Sequence, residues 1–414
     1  MAASWWLCSG RASGTSCFAP RCASRFTARM ISFSGELQQT CHTPEAALAL
    51  AGRRPASPME TARLLTRLVS LTPRERLTEV SGDERLAERL RALKFELLKP
   101  DELAQLIWAC AMLRRPLRAS EIPSADLVAL LDMHATNLDV HVAAQAAWAW
   151  ESLVRDAQAF NEPLPARLLE RTASLPFIVH LGLIDPSLVE LESLRTEAAP
   201  QRDEIRSGSK HPGKAIVTEK RLTAWQSEEN VSFAYSGKEM MPQMGSGGHG
   251  PGFTPRIRAV RDVLARTLDR RYDSVLINYY EDGSSSMNYH ADPDQGERWG
   301  YSTCVVSAGD ARLFVFRRIG APAQRCTFAL RSGDVVEMFG NCQAHYQHSI
   351  RTEAEAMRVG PRMSLVYKRT MATETCAASH ERPDGRLQAT LRTMSPRLGV
   401  GRARVTLNSG LGVT

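Results

Sequence analysis

The chain has 414 residues with 43% hydrophobic and 23% charged content, which are ordinary for a globular protein and exclude a chain that is disordered throughout. Its net charge of +7 would suit a polyanionic partner such as nucleic acid, although basic organelle proteins are also common. The 9 cysteines are scattered without a C-x-x-C pair, which argues against a zinc site or a disulfide framework and indicates reduced thiols. No apolar run reaches the roughly 18 residues of a membrane span, so we expect no membrane association.

Residues 1–58 are predicted to be a disordered leader and linker. Arg, Ser and Ala are frequent, and no acidic residue precedes Glu36, which is the composition of a mitochondrial or plastid transit peptide. A basic leader of a nuclear or cytosolic protein is the alternative. The stretch "GRRPASP" marks the end of this segment with turn-forming residues.

Residues 59–197 are predicted to be an all-α region. Apolar residues recur at helical spacing in "DELAQLIWACAML" and "DLVALLDM". A Trp-Ala pair at Trp108 returns 40 residues later at Trp148, which suits stacked helical hairpins. These segments resemble the helical-hairpin repeats of organellar RNA-associated proteins. The alternative is that both tryptophans are core residues of an ordinary helical bundle.

The polar stretch 198–215 is predicted to be a linker, and the composition changes after it. Short β-rich runs bounded by Gly, Asp, Ser or Pro indicate a mainly antiparallel sheet or sandwich. These runs are 274–280, 303–309, 311–318, 326–330, 334–340 and 363–368. One segment among them, 255–272, is predicted to be helical, and the tail 371–414 is predicted to be disordered.

The stretch "NYHADPD" carries a candidate metal site. Residues i and i+2 of a strand face the same side, so His290 and Asp292 can present an imidazole and a carboxylate to one ion. His348 can supply a third ligand from a neighbouring strand, with His345 as a rival. Two histidines and one carboxylate leave positions open on non-haem Fe(II) for oxygen and a co-substrate. The alternative is a set of unrelated surface residues.

Arg362 adds a cation that could fix the far carboxylate of a dicarboxylate co-substrate. With it, residues 216–369 resemble the AlkB family of Fe(II)/2-oxoglutarate dioxygenases, in particular its nucleic-acid demethylase branch. The stretch "AHYQHSI" is similar to the family's H-x-x-H-S, and "RMSLVYK" to its R-x-N-x-T-x-R. The resemblance implies a double-stranded β-helix, or jelly-roll-like, domain over 216–370, and therefore an α+β multidomain chain with a helical N-terminal region.

The resemblance also implies Fe(II) as the metal, held by His290, Asp292 and His348, with 2-oxoglutarate and O₂ as co-substrates. Within it, Asn278, Tyr280 and Arg362 match residues that bind 2-oxoglutarate. Two further positions depart from the pattern, since Ser364 stands for the usual Asn and Lys368 for a second Arg. Lysine keeps the charge but loses the guanidinium fork, so altered co-substrate binding is expected.

The stretch "RLTAWQSEENVSFAYSG" resembles the family's nucleotide-recognition lid. Tyr235 is thereby assigned to stack on a flipped base and Asp294 to contact the base edge, both in catalytic and substrate-binding roles. Trp225 is a further substrate-contact candidate, and the alternative for both Tyr235 and Trp225 is packing within the lid. Arg317, with Arg318 and Arg325, is a candidate phosphate contact that could instead be solubilising charge.

The resemblance implies oxidative demethylation of N-alkylated bases such as 1-methyladenine or 3-methylcytosine, as direct-reversal DNA repair. An RNA demethylase, or a protein or small-molecule hydroxylase on the same scaffold, is the alternative within the enzyme class. An RNA-binding or interaction protein carried by the helical region is the alternative outside it. The expected partner is nucleic acid, DNA more than RNA, and the chain is expected to act as a monomer in a mitochondrion, plastid or, alternatively, the nucleus.

Overall fold

The computed structural model describes residues 33–53, 57–114, 124–156, 162–206, 216–244 and 251–371. Its helices are α1 (Phe33–Thr40), α2 (Pro44–Arg53), α3 (Pro58–Leu71), α4 (Leu77–Ser81), α5 (Glu84–Arg91), α6 (Pro100–Met112), α7 (Ser124–His134), α8 (Val140–Asp156), α9 (Ala166–Thr172), α10 (Leu191–Ala198), α11 (Pro255–Leu268) and α12 (Cys342–His345). Short 3-10 turns lie at Arg74–Arg76, Phe95–Leu97, Ala135–Asn137 and Glu355–Met357.

The helix starts follow from local chemistry. At α3, the Ser57 side chain accepts from the Glu60 amide while the Glu60 carboxylate accepts from the Ser57 amide, and Pro58 occupies the first turn. The helix then buries Leu64 and Leu68 on one face. Such pairing satisfies amide donors that a helix start leaves free, so the boundary is encoded by neighbouring residues.

The strands are β1 (Phe177–His180), β2 (Glu204–Arg206), β3 (Ile216–Thr218), β4 (Leu222–Ser227), β5 (Phe233–Tyr235), β6 (Lys238–Met240), β7 (Ser274–Tyr280), β8 (Met287–His290), β9 (Thr303–Gly309), β10 (Arg312–Arg318), β11 (Ala321–Leu330), β12 (Val335–Met338), β13 (Tyr346–Ile350) and β14 (Arg362–Lys368). A large sheet has the order β1-β12-β9-β14-β7-β4, and a small sheet has the order β11-β10-β13-β8. Two hairpins, β2-β3 and β5-β6, complete the described sheet structure.

Strands β7 to β14 divide between the two main sheets, with β7, β9, β12 and β14 in the large one and β8, β10, β11 and β13 in the small one. All pairings are antiparallel. This is the jelly-roll arrangement expected for the second half of the chain. The predicted strand runs and the predicted helix at 255–272 are confirmed, with α11 ending at Leu268.

The prediction of an all-α region at 59–197 is wrong at one element. Strand β1 lies inside that range and pairs with β12, with Phe177 opposite Met338. It adds an edge strand to the large sheet. The stretch "FIVH" is too short to stand out from surrounding helices, and its partner follows much later in the chain, so local periodicity gave no sign of it.

Other predicted boundaries also shift. Helices α1 and α2 lie within the segment predicted as disordered leader and linker, and β2 lies within the predicted linker 198–215, where it pairs with β3. The rest of the leader before residue 33 and the tail beyond 371 lie outside the described residues. Within the described ranges, no helix combines the length and apolarity needed to cross a membrane.

The large sheet is covered on both faces, and every residue of β7 is buried. On β14, Met363, Leu365 and Tyr367 belong to a core cluster shared with α10 and α11. The alternate residues, beginning with Arg362, point to the opposite face, between the two sheets. The polar side chains that sequence analysis assigned to the co-substrate therefore lie on the interior face.

The N-terminal helices pack on the jelly roll through their Trp-Ala faces. Trp108 donates its indole N–H to the carbonyl of Thr327 in β11, at 3.2 Å. Trp148 is 4% exposed and meets Phe328 edge to face at 6.0 Å between ring centroids. The Gln145 side-chain oxygen accepts from the Thr327 amide at 2.7 Å. Both tryptophans thus serve an internal interface, which favours the packing interpretation over RNA contact.

Candidate active site

Three potential metal ligands meet where β8 and β13 run side by side. His348 pairs with His290 across the two strands, and Asp292 follows β8 by two residues. One carboxylate oxygen of Asp292 lies 3.6 Å from Nε2 of His290 and 3.7 Å from Nε2 of His348. All three ligand atoms lie within 4.8 Å of one another, so they could hold one metal ion. His345, the rival candidate, is exposed at the end of α12.

Burial sets the protonation states of these ligands. It lowers the pKa of His348 to about 3, with the neighbouring His290 acting in the same direction. Burial also lowers the pKa of His290. Burial alone would raise the pKa of Asp292, but the adjacent Lys368 and the two histidines hold it below its usual range. At neutral pH the set is two neutral imidazoles and a carboxylate, the forms that bind a metal.

Two further contacts fix Asp292. Its amide donates to the side-chain oxygen of Gln343 at 2.8 Å, and Gln343 is 7% exposed in α12. Its second carboxylate oxygen accepts from Nζ of Lys368 at 2.6 Å. Lys368 was predicted to contact 2-oxoglutarate, whereas Gln343, 51 residues from Asp292 in the chain, was not predicted as a site residue. Such outer contacts orient a ligand and tune the metal it binds.

Arg362 supplies a buried cation on the interior face. It is 0% exposed, and Nη2 donates to Ser307 Oγ at 2.9 Å. Within the described residues, its Nε and Nη1 have no hydrogen-bond partner. Burial lowers its pKa from 12.5 to about 10. Buried N–H donors without a partner are costly, and the carboxylate of an anionic ligand could accept hydrogen bonds from them.

The other predicted co-substrate residues surround Arg362. Tyr280 lies directly opposite Arg362 in the pairing of β7 with β14, and Asn278 lies opposite Ser364. Tyr280 is 2% exposed, Asn278 is 6% exposed and Ser364 is 2% exposed. The structure therefore gathers these four polar residues on one face of two adjacent strands. Lys368 lies on the same face of β14, six residues beyond Arg362, where it contacts the carboxylate of Asp292.

The β5-β6 hairpin carries Tyr235, the predicted stacking residue. Its hydroxyl donates to Glu219 at 2.7 Å, and burial raises its pKa, so the phenol stays neutral. Trp225 is 0% exposed and stacks on Phe233 at 4.8 Å between ring centroids. Its indole N–H donates to the Val231 carbonyl. Trp225 is therefore a core residue beneath the hairpin, which favours the alternative of packing within the lid over contact with substrate.

Asp294 and Arg317 lie outside the ligand cluster. Asp294 is exposed, has a φ of 57°, and its carbonyl accepts from the Arg298 and Trp299 amides in the turn after β8. Arg317 is half-buried, with its guanidinium 3.7 Å from the Tyr289 ring centroid. It also donates twice to Gln347, at 2.9 and 2.7 Å. Any phosphate contact by Arg317 would have to compete with these partners.

Known proteins share this domain. The sequence profile described as the 2OG-Fe(II) oxygenase superfamily matches residues 190–392. Uncharacterized protein R406 of Acanthamoeba polyphaga mimivirus is 33% identical over 154 residues, which are 37% of this chain and 75% of that protein.

Two mammalian proteins match at lower identity. Human "DNA oxidative demethylase ALKBH2" is 24% identical over 161 residues, 37% of this chain and 58% of that protein. Mouse "Alpha-ketoglutarate-dependent dioxygenase alkB homolog 3" is 26% identical over 160 residues, 36% of this chain and 51% of that protein. This chain thus spans little more than half the length of these two relatives. The solved structure of OsALKBH1 covers 47% of this chain and 98% of its own at a TM-score of 0.32 and 13% identity.

The residues present fit the cofactor chemistry of this superfamily. Two neutral imidazoles and one carboxylate suit non-haem Fe(II), and the incompletely bonded Arg362 suits a dicarboxylate. The enzyme is accordingly a dioxygenase that uses Fe(II), 2-oxoglutarate and O₂. From the relatives, the matched profile and this donor set together, the chain belongs to the AlkB family of 2OG-Fe(II) oxygenases.

Proposed function

We propose that the enzyme oxidatively demethylates N-methylated bases in nucleic acid, DNA in preference to RNA, as direct-reversal repair. The observation that carries the proposal is one continuous site. It comprises the cluster of His290, Asp292 and His348, the strand face that carries Arg362 and Asn278, and the hairpin that bears Tyr235. The hairpin is joined to that face through Glu219 and Arg221, which donates to Asn278. The reaction requires a metal centre, a cation that binds the carboxylate of 2-oxoglutarate, and an aromatic face for the base. The ligand cluster, Arg362 and Tyr235 are the residues proposed for these three roles.

The chemistry divides between the cofactor and the chain. Iron held by His290, Asp292 and His348 would, with 2-oxoglutarate and O₂, supply the oxidising chemistry, with succinate and CO₂ as the products of the co-substrate and formaldehyde as the product of the N-methyl group. Arg362 would pair with the far carboxylate of 2-oxoglutarate, and Asn278 and Tyr280 would also contact the co-substrate, with Ser364 beside them. Gln343 and Lys368 hold Asp292 in place. These residues orient the reactants and hold charge, and none needs to transfer a proton.

The base must leave its stack to reach the metal centre. Tyr235 offers an aromatic face for it, and its hydroxyl is already held by Glu219, so the ring orientation is fixed before substrate arrives. Asp294 is exposed beside the metal carboxylate in the chain and can approach the edge of a cationic methylated base. Arg317 is the proposed phosphate contact, helped by the net positive charge of the chain.

The preference for DNA is proposed by analogy with the human relative, a DNA oxidative demethylase. RNA demethylation, or hydroxylation of a protein or small molecule, is the second candidate. A function carried by the helical region alone is disfavoured, because Trp108 and Trp148 are engaged with β11.

A demethylation panel tests the proposal. The full chain is incubated with Fe(II), 2-oxoglutarate, ascorbate and oligonucleotides carrying 1-methyladenine or 3-methylcytosine, as single- or double-stranded DNA or as RNA. We expect mass spectrometry to show loss of the methyl group, fastest on DNA. His348→Ala should abolish it, whereas the matched variant His345→Ala, at an exposed histidine, should not. Turnover of RNA alone, or of no oligonucleotide, would contradict the proposal.

We also propose an organellar location, on the acid-free, Arg-rich composition before Glu36. A fusion of residues 1–40 to a fluorescent reporter tests this. Import into mitochondria or plastids is expected, and a purely nuclear or cytosolic signal would contradict it.

A further inference from the structure

Arg221 connects two parts of the site that sequence analysis treated separately. It precedes β4, is 4% exposed, and its Nε donates to Asn278 Oδ1 at 2.8 Å. A guanidinium has donors and no acceptor, so the Asn278 atom facing it must be the amide oxygen. The two N–H donors of Asn278 are therefore turned away from Arg221 and left for another acceptor.

We propose that Arg221 is a positioning residue that fixes the amide of Asn278 with its donors toward the 2-oxoglutarate carboxylate and ties the β5-β6 hairpin to that pocket. Without Arg221, the amide could rotate and present its oxygen to an anion, which is repulsive. The inference rests on the proposed contact between Asn278 and 2-oxoglutarate. It does not depend on whether nucleic acid is the substrate.

The link to the hairpin runs through Glu219, whose side chain is 0% exposed. Its carboxylate lies 3.2 Å from Nη2 of Arg221, and it accepts from the Tyr235 hydroxyl at 2.7 Å and from Nζ of Lys238 at 3.1 Å. Tyr235 and Lys238 lie on the two strands of the hairpin. One buried carboxylate thus holds Arg221 and both strands together.

This sharing has a thermodynamic consequence. Arg221 is a buried charge that needs its partner Glu219, so movement of the hairpin that displaces Glu219 also frees Asn278. Conversely, a carboxylate that binds the donors of Asn278 favours the same arrangement of Arg221 and Glu219. Because coupling between two binding events is reciprocal, 2-oxoglutarate is expected to order the hairpin, and an ordered hairpin is expected to favour 2-oxoglutarate.

The first test measures 2-oxoglutarate binding to the full chain loaded with Mn(II), which avoids turnover. Arg221→Gln can both donate and accept, so it no longer fixes the amide, and we expect its Kd to rise about tenfold. Arg221→Lys only donates and should stay within about threefold of wild type. Lys220→Gln changes the adjacent exposed residue and should have no effect. Equal Kd values for Arg221→Gln and Lys220→Gln, or equal losses in Arg221→Gln and Arg221→Lys, would refute the positioning role.

The second test needs no change at Arg221, and so holds even if those variants do not fold. Amide hydrogen exchange is followed in residues 233–240 with and without 2-oxoglutarate. In wild type the co-substrate should slow exchange there several-fold. Tyr235→Phe removes only the hydroxyl that Glu219 accepts from and leaves the Lys238 contact, so it should reduce that slowing while the protein still binds 2-oxoglutarate. If exchange in residues 233–240 of the wild type is the same with and without 2-oxoglutarate, the proposed coupling is wrong.

Discussion

Replacing Arg362 tests whether this buried cation serves the binding of 2-oxoglutarate or the stability of the fold. Burial lowers the pKa of Arg362 from 12.5 to about 10, which corresponds to a cost of about 3 kcal/mol for holding the charge in the folded protein at neutral pH. The hydrogen bond to Ser307 returns about 1 kcal/mol of that. The buried charge of Arg362 therefore destabilises the apoprotein, and a bound anion would offset this cost.

Arg362→Met keeps the length of the side chain and removes the charge. We expect the free energy of unfolding of the apoprotein to stay equal or rise by up to about 2 kcal/mol, because a buried ion can be replaced by an apolar side chain of similar size without loss. The Kd of 2-oxoglutarate should rise by at least about 30-fold, since removing one partner of a buried charge pair costs about 2–5 kcal/mol. Urea unfolding and calorimetric titration of the Mn(II)-loaded protein measure the two quantities.

Arg312 provides the matched control. It is also 0% exposed, but it donates to the carbonyls of Asp282, Ser285 and Arg351 and lies 3.3 Å from the carboxylate of Glu353. Arg312→Met should therefore lower the free energy of unfolding by about 3 kcal/mol or more. The reasoning is refuted if Arg362→Met destabilises the apoprotein as much as Arg312→Met does, or if it leaves the Kd of 2-oxoglutarate unchanged.

Three further predictions concern the metal ligands and the helical region. His348 should cost the apoprotein about 1.4 kcal/mol of unfolding free energy for each pH unit between about 6 and 3, because the unfolded chain protonates it near its ordinary pKa of 6.5 and the folded chain only near a pKa of about 3. The pKa of His290 is lowered as well, so His348→Gln should reduce this pH dependence in urea unfolding without removing it. Gln343→Ala should weaken Mn(II) binding about tenfold or more by freeing the Asp292 amide, and an unchanged metal Kd would show that the contact is incidental. Trp148→Ala should cost about 3–5 kcal/mol of stability, whereas a loss of RNA binding at unchanged stability would return the helices to an RNA-contacting role.

The jelly roll could be predicted because its signals are local. Strands such as β7 and β9 are apolar runs bounded by turn residues, and the H-x-D spacing of His290 and Asp292 follows from strand geometry. The triad assembled as the family resemblance implied, with His348 chosen over His345.

What escaped prediction depends on contacts distant in sequence. Strand β1 pairs with β12, more than 150 residues later, and its four residues are too short a run to be predicted as a strand among helices. Gln343 reaches Asp292 from α12, 51 residues further along the chain, so its role is visible only once the backbone is folded. Trp225 sits in a motif associated with substrate, and only its burial against Phe233 shows that it supports the hairpin. In each case the role depends on a partner that is brought close only by folding, so the residue type alone does not predict it.

The most direct test of the central claim couples the loss of one methyl group to the consumption of one 2-oxoglutarate. A 1-methyladenine-containing DNA oligonucleotide is incubated with the full chain, Fe(II), 2-oxoglutarate and O₂, and repaired base, formaldehyde and succinate are measured together. The account predicts equal amounts of the three products, and none from Asp292→Ala, which removes the carboxylate that lies between the two histidines. Succinate formed without repaired base, or repair that persists in Asp292→Ala, would contradict it.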